Sequence, residues 1–420
     1  MWNKFLLIVK DPDLRRKFLY LLGFLAAFRL AASIPVPGID ALKLKEFFAA
    51  NQFFGLLNLF SGGALDNLSI MMLGVGPYIT SSIIMQLSTM IFPRLKEIYQ
   101  EEGEAGRQRF NQYSRVITLP LALIQGFGLL TILERQGILQ FAFSEKVANV
   151  IIVAAGSILL MWIGELISEY GIGNGVSLPL IAGIVSRFPL DLRQTLTNFD
   201  PSQLPTLIMF AVLSVVTVAA VVVISEGDRS VPIYYAKRMR GMRMYGGMTT
   251  YLPLKVNQAG VIPIIFALSM LLLPQMVANF FAASGNIILK TVATFVVNFL
   301  ANLWLYAAIY FILVVLFTYF YTFITFDPQA VSQNLQKSGA FIPGIRPGNP
   351  TAEFLYYIIS RITLTGALFL GVIAVLPIVI QAATNITTLT VGGTALLIVV
   401  SVVLETAKQV EGQLSLRAYE

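Results

Sequence analysis

The residues of this sequence that could do chemistry are basic and glycine-rich rather than nucleophilic. There is no Cys and no His in the 420 residues. That removes disulfides, thiolate and imidazole metal sites, His general bases and Ser-His-Asp triads. No Gly-x-Ser-x-Gly elbow and no His-Glu-x-x-His helix occurs. A basic loop cluster, Lys237, Arg238, Arg240 and Arg243, follows Tyr234 and Tyr235. Such a cluster either records membrane topology alone or docks an anionic surface such as ribosomal RNA, where phosphate neutralisation supplies affinity. Few ionisable residues lie within apolar runs. Arg29, two-thirds along the first run, is expected to reach an outer interface or a partner. Glu165 and Glu169, one helical turn apart, read most simply as a solvated helix end. Transporters of ions or small polar solutes keep ionisable groups at the midplane. A pore without them can still seal, because an apolar constriction gates by dewetting.

The elements that must position these residues are membrane spans. The chain is 56% hydrophobic and 12% charged, whereas soluble domains carry about a quarter charged residues. With about 20 apolar residues per span, windows fall at 18–34, 74–92, 116–133, 147–167, 176–188, 207–225, 259–276, 295–324, 358–382 and 391–404. The fold class expected is an all-α polytopic membrane protein of about ten spans. The polar start before a full-length apolar run favours a retained first span over a cleaved signal peptide. Of the 29 Lys and Arg, 21 lie on the side of the termini and seven opposite, so both termini are expected in the cytosol. The fifth window is short and must tilt little, thin the bilayer or line a cavity.

Three stretches interrupt the pattern. Ser61-Gly62-Gly63-Ala64-Leu65-Asp66-Asn67-Leu68-Ser69-Ile70-Met71-Met72-Leu73 is apolar enough to enter a membrane and too short to cross it. It is either a re-entrant half-helix beside a cavity or an interfacial helix on the outer surface. Gly171-Ile172-Gly173-Asn174-Gly175 is a plain connection or a tight turn that lets helices approach. Of the two long loops, 226–257 alternates aromatic and basic residues around Gly turns and predicts a hairpin. The loop 326–353 is dense in Pro and Gly and predicts a rigid loop rather than a helix.

Several strings together carry a resemblance. Phe60-Ser61-Gly62-Gly63-Ala64-Leu65, Pro77-Tyr78-Ile79, Gly171-Ile172-Gly173-Asn174-Gly175, Tyr235-Ala236-Lys237-Arg238, Leu252-Pro253-Leu254-Lys255-Val256-Asn257 and Lys337-Ser338-Gly339-Ala340-Phe341-Ile342-Pro343-Gly344-Ile345-Arg346-Pro347-Gly348 resemble the bacterial SecY family, in order from about Asp11 to the tail. The resemblance implies a protein-conducting channel of two pseudo-symmetric five-span halves, 1–190 and 191–420, in the bacterial plasma membrane. It implies translocation of unfolded secretory polypeptides and lateral release of signal or transmembrane helices. Residues 61–73 would be a plug. The waist ring would be Val75, Ile79, Val176, Leu180, Ile265 and Ile398, whose aliphatic side chains offer water and ions no hydrogen bonds.

Thr80, Gln125 and Asn257 would form a polar cluster at a lateral gate, holding it closed by about 1–2 kcal/mol. Lys237, Arg238, Arg240, Arg243 and above all Arg346 would dock partners. Those implied are SecE and SecG subunits, the SecA motor ATPase, the translating ribosome, signal sequences and membrane lipid, with no cofactor and no catalytic activity of its own. Three features depart from the family pattern. Tyr170 stands where Arg is usual, the ring mixes Val and Leu with Ile, and Pro179 is expected to shift Leu180 by removing a backbone donor. A secondary solute/ion transporter with inverted repeats is the alternative class, and an intramembrane enzyme the weakest.

Overall fold

The computed structural model describes residues 11–37, 58, 61–100, 102–135, 137, 139, 141–197, 204–235, 238–240, 243–245, 249–282, 287–384 and 388–417. The helices are α1 (Pro12–Ala32), α2 (Gly76–Ile91), α3 (Pro93–Gln100), α4 (Gly103–Arg135), α5 (Phe143–Tyr170), α6 (Ser177–Thr197) and α7 (Leu204–Glu226). Then come α8 (Ile262–Ala282), α9 (Ile287–Ala301), α10 (Leu303–Thr325), α11 (Pro328–Ser338), α12 (Asn349–Thr384) and α13 (Thr388–Arg417). Each apolar window of the sequence falls on a helix. By length and composition, four stretches among the described residues can cross a membrane: Gly103–Glu134, Phe143–Tyr170, Leu303–Ser338 and Asn349–Ile380. Outward faces are apolar, with Val212, Val215, Val216 and Val223 exposed on α7 and Leu364, Leu368 and Val372 on α12. Such faces suit hydrocarbon, and the chain is a membrane protein.

Local chemistry explains the helix ends. Asp11 caps α1 by accepting from Asp13 N at 2.9 Å, with Pro12 at the first helical position. The eighth window, expected as one run over 295–324, is broken: Asn302 caps a new helix by accepting from Trp304 N at 3.1 Å, separating α9 from α10. The fifth window is short as an apolar stretch, Ser177–Ser186, while its helix α6 continues to 21 residues through Pro189. Pro179 lies in its first turn, where backbone N–H groups have no intrahelical acceptor, so no helix bond is lost. Asn174 caps that turn, its Oδ1 accepting from Val176 N at 2.9 Å.

The two long loops fold onto each other. β1 (Asp228–Tyr235) pairs antiparallel with β4 (Thr249–Lys255), from Asp228↔Lys255 to Tyr234↔Thr249, as the hairpin expectation requires. Inside it lie β2 (Arg238–Arg240) and β3 (Arg243–Tyr245). β5 (Ala340–Phe341) joins the other edge of β1, giving the order β4-β1-β5. The second loop is not purely irregular. Asp327 caps α11 and Gly339, at φ 71, ends it; this start-and-stop chemistry outweighs the Pro and Gly beyond it. Val231, Leu254, Ile342, Leu355, Ile358 and Ile359 form the core beneath.

The first helices pack as α2 on α4, α4 on α5 and α5 on α1, the later ones as α8 on α9 and α10, α10 on α12 and α12 on α13. The two groups meet where α8 lies against α2 and α4, and where α13 lies against α6.

Candidate functional site

Residues 61–75, just before α2, are seated deep in the protein. Ala64, Leu65, Leu68, Met71 and Met72 are 0% exposed. This excludes the interfacial placement, and the half-helix expectation is also corrected. The described part of 61–75 holds only a 3-10 turn, Leu65–Asn67, followed by tight turns. Gly62, Gly63 and Gly74 adopt φ of 63°, 80° and 59°, and Leu68 sits in the left-handed region at φ 40°. An α-helix cannot pass through such residues.

The backbone therefore takes its partners from neighbours, as buried irregular chain must. Val36 N donates to Leu68 O at 2.9 Å and Ile70 N to Ile34 O at 3.0 Å, around an antiparallel bridge between Pro35 and Ser69. Ser157 Oγ on α5 donates to Gly74 O at 2.9 Å. Beside it Gly156 lets the chain approach so closely that a Cβ there would lie 1.9 Å from Ile70 O. At the front end Ser61 Oγ accepts from Leu65 N at 3.0 Å. Asp66 contributes main chain to the 3-10 turn and Asn67 is exposed.

The six aliphatic residues of the expected ring belong to, or pack against, the large apolar core that also holds this segment. Val75 precedes α2 and Ile79 lies in its first turn, Val176 and Leu180 are at the start of α6, Ile265 is on α8 and Ile398 on α13. All but Val176 are 1–4% exposed, and they share one apolar cluster with Leu65, Leu68, Met71 and Met72; Val176 packs against it. Leu180, the residue expected to shift, is 2% exposed and in that cluster.

The three gate residues are only partly brought together. Gln125 Nε2 on α4 donates to Thr80 Oγ1 on α2 at 3.4 Å, and Thr80 donates onward to Gly76 O at 2.9 Å. Asn257 instead donates through Nδ2 to Gly260 O at 3.2 Å, closing the turn before α8, while its buried Oδ1 has no partner. The expected three-way cluster is therefore a pair and a separate turn. Gln86 on α2, which sequence reasoning passed over, has a second buried acceptor without a partner.

Two charge expectations change. Glu165 is paired across helices with Arg115 of α4, its side chain 21% exposed, rather than standing as a free helix end; Glu169 is exposed. Arg29 turns inward: Nη1 donates to Gly62 O at 3.1 Å and Nη2 to Gly183 O at 3.2 Å. Nothing in the local sequence around Arg29 announces either acceptor. Gly156 and Ser157 were missed too, although two small residues together in an apolar helix mark a close approach. Arg346 is exposed in a turn held by Thr351 Oγ1 donating to Arg346 O at 2.8 Å. Arg238, Arg240 and Arg243 lie on β2 and β3, and Lys237 is outside the described residues. Among the described residues no acidic group of three or more is arranged to hold a metal.

A family model described as SecY matches residues 69–407. The protein translocase subunit SecY of Mycobacterium tuberculosis (strain ATCC 25618 / H37Rv) is 42% identical over 443 residues, covering 100% of this chain and 99% of the relative. The chain belongs to the SecY family. Solved structures carry the same fold. A protein conducting channel aligns with TM-score 0.65 at 19% identity, over 96% of this chain and 93% of its own. Sec61 in a canine ribosome-channel complex from the endoplasmic reticulum aligns with TM-score 0.59 at 18% identity, over 96% and 93%. For a SecY-family chain the buried segment and the aliphatic ring become the natural place to look for function. The family also replaces the solute/ion transporter alternative, and it is not a family of enzymes.

Proposed function

We propose that this SecY-family chain is the channel subunit of a bacterial protein translocase, passing unfolded secretory polypeptides through the aliphatic ring and releasing apolar helices sideways into the lipid. The observation that supports this reading is that ring residues on or beside α2, α6, α8 and α13 belong to, or pack against, the same apolar core as a buried segment lying outside every α-helix. In this reading 61–73 is the plug, and the ten apolar windows are ten spans in two halves, 1–190 and 191–420. Those halves meet along the contacts of α8 with α2 and α4 and of α13 with α6. Both termini lie in the cytosol and the membrane is the plasma membrane.

The physical logic is an apolar seal. Val75, Ile79, Val176, Leu180, Ile265 and Ile398 give water nothing to bond, so a narrow gap between them stays dry. A passing polypeptide meets flexible, non-bonding surface that fits many side chains. The Thr80–Gln125 pair joins α2 to α4, two helices that each contact α8, and Asn257 lies just before α8; in this reading a signal helix parts the wall between these elements. The solved Sec61 neighbour is ribosome-bound. For this chain the ribosome and the SecA motor would dock on Lys237, Arg238, Arg240, Arg243 and Arg346, with SecE and SecG completing the channel. Energy comes from those partners, since the chain carries no nucleotide-binding motif.

The test is reconstitution of the chain with its partner subunits in liposomes. Removing residues 62–73 is expected to raise ion leakage at rest while signal-bearing substrates are still transported. Liposomes as tight as those with the intact chain would end this reading.

A further inference from the structure

Arg29 is a guanidinium inside an apolar run of α1, and the fold gives it two main-chain acceptors from two different elements. Gly62 O belongs to the neck of the buried segment and Gly183 O to α6. These elements touch because neither has a side chain there: a Cβ on Gly183 would lie 2.2 Å from Gly62 Cα. Gly63, at φ 80°, comes next, and its Cβ would lie 3.8 Å from Arg29 Nη1. Phe28, fully buried beside Arg29, closes the other side, 2.9 Å from where a Gly62 Cβ would be. The neck is thus pressed onto α6 and clamped by one fork.

We propose that Arg29 is a latch that holds the neck of the plug against α6 and so sets how readily the channel unseals. This rests on the reading of 61–73 as the plug. The chemistry suits the task. Bonds from an ionised donor are stronger than neutral ones, and more so away from water. A guanidinium stays charged and its planar fork reaches two acceptors at once, whereas an ammonium is a single point of charge. If the plug leaves, Nη1 loses Gly62 O and a charge at membrane depth is left with half its partners, which favours return. The ring seals by lacking polarity; the latch adds one directional contact that is made in the closed state and broken on opening.

The experiment compares resting ion conductance and the passage of substrates with defective signal sequences, in reconstituted complexes of the intact chain, Arg29→Leu, Arg29→Lys, the 62–73 deletion, and Arg29→Leu combined with that deletion. Arg29→Leu is expected to raise resting conductance several-fold and to relax signal stringency. Arg29→Lys, which can serve only one carbonyl well, should fall between. In the deletion background Arg29→Leu should add nothing, because the latch then has no neck to hold. A leaky deletion with a tight Arg29→Leu overturns the latch and leaves the plug. So does an Arg29→Leu effect of equal size with and without the plug, since that marks a general structural role. A deletion that does not leak overturns the plug reading and the latch with it.

Discussion

Residues 61–75 and the β4-β1-β5 sheet are both irregular excursions from a helical bundle, and they satisfy their backbones in opposite ways. The sheet builds its own ladder, seven residue pairs between β1 and β4 alone, over a dedicated apolar core. The buried segment has no ladder. Among the described residues its ties to the rest are scattered: two main-chain bonds to 34–36, one from Gly63 N to Asn58 O, one hydroxyl from Ser157, and one arm of the Arg29 fork. Each buried main-chain bond is worth only about 1 kcal/mol net, so the segment is held by a handful of separable contacts and by packing. The sheet is held by a continuous ladder, and the segment by separate contacts. That difference is what a docking platform and a stopper would respectively need.

The largest effect should come from spoiling the seat itself. Gly156→Val places a Cβ about where Ile70 O now is, 1.9 Å from its position. Overpacking of this kind costs on the order of 1–3 kcal/mol or more, and the clash falls on the main chain of the segment at Ile70 and Met71. The variant should leak ions at rest nearly as much as the 62–73 deletion, with the β-sheet platform still binding partners. Resting conductance of proteoliposomes reads this, and a tight Gly156→Val channel would mean the segment is not the mobile part.

Next in size are Ile79→Asn and Ile398→Asn in the ring. Both sites are at most 4% exposed, and an amide buried there without a partner costs roughly 1–3 kcal/mol. The closed state should loosen and defective signal sequences should pass. Normal stringency and normal conductance in both variants would remove these residues from the seal. The matching change on the platform is Arg346→Glu. It alters one exposed side chain while the turn stays held through its main chain. Motor-driven export should fall several-fold with thermal stability and resting conductance unchanged. Unimpaired export would exclude Arg346 from docking.

The same two regions show what a sequence can disclose. The hairpin was legible because its alternation and turn glycines are local, and the apolar windows were legible because hydrophobicity is additive along the chain. Helix α11 was missed although Asp327-Pro328 and Gly339 are local signals, because the weight was placed on the Pro and Gly that follow. The turns of 64–75 were out of reach for another reason. Leu68 at φ 40° is held by partners 32 and more residues away in the chain, Val36 bonding Leu68 itself and Ile34 bonding Ile70. Likewise nothing near Arg29 points to Gly183, and nothing near Glu165 points to Arg115. The ring residues were placed by resemblance; their common burial is a property of four packed elements that no window reveals.

The smallest expected effect lies where the sequence suggested one polar cluster and the fold shows two separate contacts. Gln125→Leu removes a single long bond to Thr80, whose hydroxyl keeps Gly76 O. Interhelical bonds in membranes average about 0.6 kcal/mol, so gate opening should ease by roughly threefold or less. Asn257→Leu removes the turn bond to Gly260 and an acceptor that has no partner, contributions that partly cancel. Because the structure joins Asn257 to neither Thr80 nor Gln125, the two substitutions should be additive within about 0.5 kcal/mol in a double-mutant cycle scored by signal stringency. A coupling clearly above that would restore the three-way cluster, and would mean that Asn257 Oδ1 finds Gln125 in a gate conformation other than this one.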